Sequence, residues 1–195
     1  MQKLVKAESL AIDTETQGLY VPVHRLCVVQ LSAGDGICHL VQIPADGYQA
    51  ASNLKSLLGN PDQLKMFHYA RFDVWALEHW LQVKIHPIYC TKIASKLVRT
   101  YGAHHGLSGL VRELLGIELD KTEQTSDWAK QDLSQSQQIY AAQDVLYLHQ
   151  IRIILDQMLA RESRTELAQK CFDFIPYRVA MDRLGMAHDD IFNHG

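Results

Sequence analysis

Leu10-Ala11-Ile12-Asp13-Thr14-Glu15-Thr16 opens with residues that suit a buried strand and then sets two carboxylates two positions apart. A strand repeats its facing every second residue, so Asp13 and Glu15 look the same way. Two acids on one face repel each other and lose hydration, which makes physical sense mainly with a cation between them. The plainer alternative is a strand running out into a polar turn, with Glu15 in solvent. The choice turns on whether other segments place acids where periodicity asks for apolar residues.

Two segments do. From Ala70 the spacing predicts a helix on which Asp73, Ala76, Leu77, Trp80 and Leu81 share a face. Asp73 heads that stripe in the first turn, where ordinary N-terminal capping is the alternative explanation. A longer helix predicted over 134–160 aligns Tyr140, Asp144, Leu148, Ile151, Leu155 and Met158 on one face. Asp144 is mid-helix, so capping does not account for it, and a buried carboxylate needs an Arg, a Lys or a metal. Arg71 and Lys92 are the candidates for a purely structural ion pair.

Asp13, Glu15, Asp73 and Asp144 are therefore expected to converge. Oxygen donors without His or Cys suit Mg2+ or Mn2+ better than zinc. Two such ions about 3.5–4 Å apart would clamp a phosphodiester. Tyr140 lies one turn before Asp144, and a phenol with a pKa of about 10 stays protonated at neutral pH. Its expected task is to orient a water, not to act as a base.

The remaining chain predicts strands at 26–32 and 37–41 around a Gly34-Asp35-Gly36 turn, so the first three strands should run antiparallel. Helices are predicted at 49–58, 92–99, 107–115 and 161–184, with extended pieces at 64–68 and 85–89 and a loose polar tail over 185–195. The class is α/β, a mixed sheet with flanking helices. At 195 residues and 47% hydrophobic, one domain is expected. A net charge of −3 does not advertise a polyanion partner, so nucleic acid would be held by metals or a local basic patch. Lys65, Arg71, Lys92, Lys96, Arg99, Lys121 and Lys130 could form one, although most read as solvated surface. Four scattered cysteines, no apolar leader and no membrane-length run predict a reduced, cytoplasmic, soluble protein without a membrane partner. The cysteines read as buried small hydrophobes, and Trp75, Trp80 and Trp128 as packing anchors.

The acid pattern resembles the DEDD superfamily of 3'-5' exonucleases, DEDDy subclass, and most closely ribonuclease D. Asp13-Thr14-Glu15 matches its D-x-E motif, His68-Tyr69-Ala70-Arg71-Phe72-Asp73 resembles the second motif, and Tyr140-Ala141-Ala142-Gln143-Asp144 matches Y-x-x-x-D. Ile139 stands where the other subclass carries His. Gly106-Leu107-Ser108-Gly109-Leu110 and Ser126-Asp127-Trp128 are also similar to ribonuclease D.

The resemblance implies an RNase H-like fold over 1–185, a short tail at 186–195 and none of the helical HRDC domains of longer members. It implies hydrolysis from single-stranded 3' ends, of RNA more than DNA, with release of nucleoside 5'-monophosphates. Asp13 would bridge two divalent cations, Glu15 and Asp144 would hold the one that activates water, and Asp73 would support the second. Thr14, Thr16, Leu19, His68 and Phe72 would meet the substrate. Two departures stand out: Tyr69 where ribonuclease D usually has Asn, and Gln131-Asp132 where it tends to carry Arg-Pro. A DNA-directed exonuclease and a catalytically idle nucleic-acid-binding module are the competing functions.

Overall fold

A computed structural model describes residues 2–120, 122, 123 and 125–194. Its elements are α1 (Gln2–Lys6), β1 (Ser9–Thr16), β2 (Leu26–Ser32), β3 (His39–Gln42), α2 (Ser52–Leu58), β4 (Leu64–Phe67) and α3 (Ala70–Leu81). They continue with β5 (Ile88–Cys90), α4 (Thr91–Val98), α5 (Leu107–Leu115), α6 (Gln135–Leu146), α7 (Leu148–Arg161) and α8 (Thr165–Arg183).

The strands form one sheet in the order β3-β2-β1-β4-β5. β1 pairs antiparallel with β2, and β2 with β3, as the closely spaced strands require. Gly34 and Gly36 make the β2–β3 turn at φ 79° and 78°, a left-handed conformation natural to glycine. β4 runs parallel to β1 but pairs only with Ser9, Leu10 and Ala11. The half of β1 that carries Asp13 and Glu15 therefore extends past its parallel neighbour, leaving the β4–α3 turn to fill the gap. Crevices at the carboxyl ends of parallel strands are where α/β sheets place ligands.

Leu10, Ala11, Ile12, Met66 and Phe67 are fully buried and pack with Leu77, Leu148, Ile151 and Leu155 from the helices. The stripe read on the long helix is thus a core face. The helix itself is two, because Tyr147 takes φ −100° and ψ −8° between α6 and α7. No Gly or Pro marks the break, so the pattern runs through it unaltered. The final helix starts later than expected, since Ser163 turns left-handed at φ 54°. α2 starts at Ser52 and β3 at His39, both later than the sequence pattern predicts, and α1 precedes β1 without a signal in that pattern.

Other expectations are corrected by burial. Lys65 is fully buried and donates to the carbonyls of Asn60, Gln63 and His86. Arg99 is buried against Glu113, Ser95 and the His104 carbonyl. Neither is solvated surface or a phosphate contact, and Lys121 lies outside the described residues. All four cysteines are free, but only Cys27 and Cys90 are fully buried. The tail is docked: Arg71 and Arg178 donate to the Ala187 carbonyl, and Phe192 meets Phe174 at 6.3 Å between ring centroids. Among the described residues, no helix is long and apolar enough to cross a membrane.

Candidate active site

Alternation along β1 sends Asp13 and Glu15 to the same side, and α6 brings Asp144 to meet them. The three carboxylates offer oxygens that all lie within 4.8 Å of one another. α6 is set in place by a reciprocal cap in which the Gln137 backbone N–H donates to Ser134 Oγ and the Ser134 N–H donates to Gln137 Oε1. Gln137 also donates to Ser126 Oγ and the Asp127 carbonyl, pinning the preceding loop to the helix. The register shift in β1 between Glu15 and Thr16 ends the strand's regular pairing beside the acids.

Neither candidate cation takes the place of a metal beside Asp144. Arg71 forms a bidentate pair with Asp182, at 2.6 Å for each bond, and Lys92 sits over the Tyr69 ring. Three oxygen donors so close, with no cationic side chain paired to them among the described residues, fit a hard divalent cation.

Asp73 is not part of that trio. It is buried in the first turn of α3, as its stripe position predicts, and Thr14 Oγ1 donates to its Oδ1 at 2.7 Å. Its charge still reaches the others. Burial, then Asp73, Asp144 and Glu15, raise the Asp13 carboxyl well above its ordinary range. Burial first, and then Asp144 and Asp73, push Glu15 up to about 9. Burial raises Asp73 to about 7 against the opposing pull of the Thr14 hydroxyl, and burial raises Asp144 to about 7. The four titrate as one coupled set whose negative charge accumulates only with difficulty.

Tyr140 is half-buried, and burial followed by the charges of Asp144, Glu15 and Asp13 raises its phenol further above neutrality. It keeps its proton in this setting.

The acids open into a cleft of about 570 Å³. Thr14, Thr16, Leu19, His68, Phe72 and Tyr140 all line it, beside Asp13, Glu15 and Asp144. Leu19 projects with 85% of its surface exposed. His68 Nδ1 is 2.9 Å from Thr91 Oγ1, and burial, then the Lys92 charge, lower its pKa to about 3, so the ring is neutral.

Two contributors carry no strong signal in the sequence. Trp128 lines the cleft as well as packing under it, with its ring 6.0 Å from that of Tyr140. Its signal was the Ser126-Asp127-Trp128 stretch. Gln30 Nε2 donates to Asp13 Oδ2 at 3.3 Å, a contact set by the β1–β2 register that pairs the two residues. No local pattern marks Gln30, a polar residue in a wholly buried strand.

A family model described as 3'-5' exonuclease matches residues 1–160. The ribonuclease D of Nitrobacter hamburgensis is 31% identical over 196 residues, covering 93% of this chain and 49% of its own length. Among solved structures, Brucella melitensis NrnC superposes with a TM-score of 0.94 at 48% identity, covering 98% of this chain and 92% of that one. That protein has also been solved bound to pGG and with bound Mg2+. Escherichia coli RNase D gives a TM-score of 0.79 at 26% identity, over 91% of this chain and 46% of that one. The chain thus spans about half the length of the curated relatives it matches. Its mixed sheet, antiparallel through the first three strands and flanked by helices, is the RNase H-like arrangement of these neighbours. With the acid cleft and these matches together, the chain belongs to the 3'-5' exonuclease family.

Proposed function

We propose that this chain removes nucleotides from the 3' end of RNA, releasing nucleoside 5'-monophosphates, with two Mg2+ or Mn2+ ions held by Asp13, Glu15, Asp73 and Asp144. The observation that carries this reading is the approach of Asp13, Glu15 and Asp144 within 4.8 Å in an open cleft, unneutralised by Lys or Arg among the described residues. Divalent cations, when bound there, supply acidified water and neutralise charge developing on the leaving oxygen. Tyr140 keeps its proton and orients the attacking water. Attack on phosphorus breaks the bond to the 3' oxygen, which leaves as the hydroxyl of the shortened strand. Leu19 projects toward the terminal bases, and Thr14, Thr16, His68 and Phe72 hold the last nucleotide.

The pGG complex of Brucella melitensis NrnC supports a short 5'-phosphorylated oligoribonucleotide as one substrate of this chain. The cleft volume of about 570 Å³ is in the range of small-molecule sites and admits the end of a short strand. We assign the exonuclease domain to 1–185 and the tail to 186–195, and a cytoplasmic site of action accords with bacterial ribonuclease D relatives.

The test incubates 5'-labelled pGG, a longer single-stranded RNA and its DNA counterpart with Mg2+ or Mn2+, beside Asp144→Asn. Expected is 3' shortening of RNA by the unmutated protein alone. DNA cleaved faster than RNA would replace the substrate assignment. No turnover of any polymer with either metal would leave an idle binding module.

A further inference from the structure

His68 lines the acidic cleft, and its neighbour Tyr69 lines a different cavity, of about 540 Å³, bounded by α4 and α8. The floor of this second cavity is apolar, built from Ile93, Cys171, Phe174 and Ile175, with Phe192 of the tail at its edge. Its rim carries Arg71, Lys92, Lys96, Lys170 and Arg178, and among the described residues no Asp or Glu lines it. That concentration of positive charge occurs in a chain whose net charge is −3.

The five cations fall into two groups. Arg71 and Arg178 are committed to Asp182 and to carbonyls of the tail. The lysines are not committed in this way. Lys92 Nζ stands 4.2 Å from the Tyr69 ring centroid, and neither Lys96 nor Lys170 forms an ion pair among the described residues. Like charges gathered around a low-dielectric floor repel one another and create a local field that favours an anion.

Tyr69 adds a second observation. It holds φ 75° and ψ 45°, a left-handed conformation that a non-glycine residue adopts only under strain. Tyr69 is 45% exposed and lines the cavity, with Lys92 over its ring.

We propose that this cavity is a second ligand site, separate from the catalytic cleft, for a nucleoside di- or triphosphate. The base would rest on the apolar floor beside Tyr69 and Phe174, and the phosphates would meet Lys92, Lys96 and Lys170. Inorganic phosphate has no use for the floor, and a neutral apolar ligand has none for three lysines. The cavity lies within the roughly 300–1,000 Å³ typical of small-molecule sites.

The test titrates GDP and ADP into the full chain by calorimetry in EDTA, which keeps divalent ions from bridging phosphates to the catalytic acids. Saturable binding at one site is expected. A Lys96→Glu, Lys170→Glu double variant should weaken it by at least about tenfold, and so should Phe174→Ala, whereas Asp144→Asn should leave it unchanged. Both lysines are exposed, so their replacement leaves the packing intact, as circular dichroism would verify. Inorganic pyrophosphate should bind at least about tenfold more weakly than GDP. Four results would each overturn the assignment: no saturable binding at millimolar nucleotide, pyrophosphate binding as tightly as GDP, loss of binding in Asp144→Asn, or an oligonucleotide or acidic peptide outcompeting GDP at the lysines.

Discussion

Thr14 donates its hydroxyl proton to Asp73 across 2.7 Å, so the residue that separates Asp13 from Glu15 in the strand also secures the acid brought by α3. One heptapeptide thereby faces both acids that arrive from distant helices, with an Asp144 oxygen within 4.8 Å of its carboxylates and Asp73 bonded to its hydroxyl.

Removing that hydroxyl tests its importance. A hydrogen bond to a charged group contributes about 1.5–3 kcal/mol, so Thr14→Val should slow turnover by about 10- to 100-fold. Thr14→Ser should restore most of the rate. Equal activity in all three proteins, measured at saturating substrate and metal, would show that Asp73 needs no such support.

Replacing Tyr140 by Phe separates water orientation from metal binding. The rate of RNA hydrolysis should fall by a factor of order 10 to 1,000. Mn2+ affinity, followed calorimetrically, should stay near that of the unmutated protein. A rate unchanged by the substitution removes the role assigned to the phenol.

The acid cluster also makes stability depend on pH and metal together. Asp13, Glu15, Asp73 and Asp144 hold protons more tightly when folded than their ordinary carboxylate range allows. The folded chain therefore binds more protons than the unfolded one, and stability falls as pH rises from the ordinary range toward about 7 for Asp73 and Asp144 and about 9 for Glu15. In EDTA the Tm should drop across that window, and saturating Mg2+ or Mn2+ should flatten the drop by taking over from the protons. A Tm that climbs with pH in EDTA, recorded by differential scanning calorimetry, contradicts this picture.

Asp182 offers a structural control. Its side chain is 1% exposed and pairs with both Arg71 and Arg178, whose guanidinium groups also hold the tail. Asp182→Ala should cost on the order of 3 kcal/mol, because it strips two cations of their carboxylate, although both are partly exposed and can regain water. Urea unfolding measures the loss. Limited proteolysis should also cut the tail sooner, and a tail that resists as before would show that the arginines hold it unaided.

Much of this site was legible as periodicity. Asp13 and Glu15 share a face because strands repeat every two residues, and Asp144 sits on a core-facing stripe because helices repeat near every 3.6. Those facts are local and need no neighbour. Gln30 shows the limit: its contact with Asp13 follows from which strand lies beside β1 and in what register. Tyr147 shows another, since a single residue leaving the helical conformation changes no pattern of polarity.

The amino-acid order alone determined which faces carry charge, the broad run of strands and helices, and the expectation that the acids converge. Only the folded chain decided which acids come close enough together to offer oxygens to one ion. It brings Asp13, Glu15 and Asp144 within 4.8 Å and sets Asp73 against Thr14, a distinction of a few ångströms between segments far apart in sequence. It also buries Lys65 and Arg99 among partners supplied by other segments, while gathering Lys92, Lys96 and Lys170 around an apolar cavity. Facing is a property of one element; convergence depends on how elements pack, and packing is set by contacts that no single stretch contains.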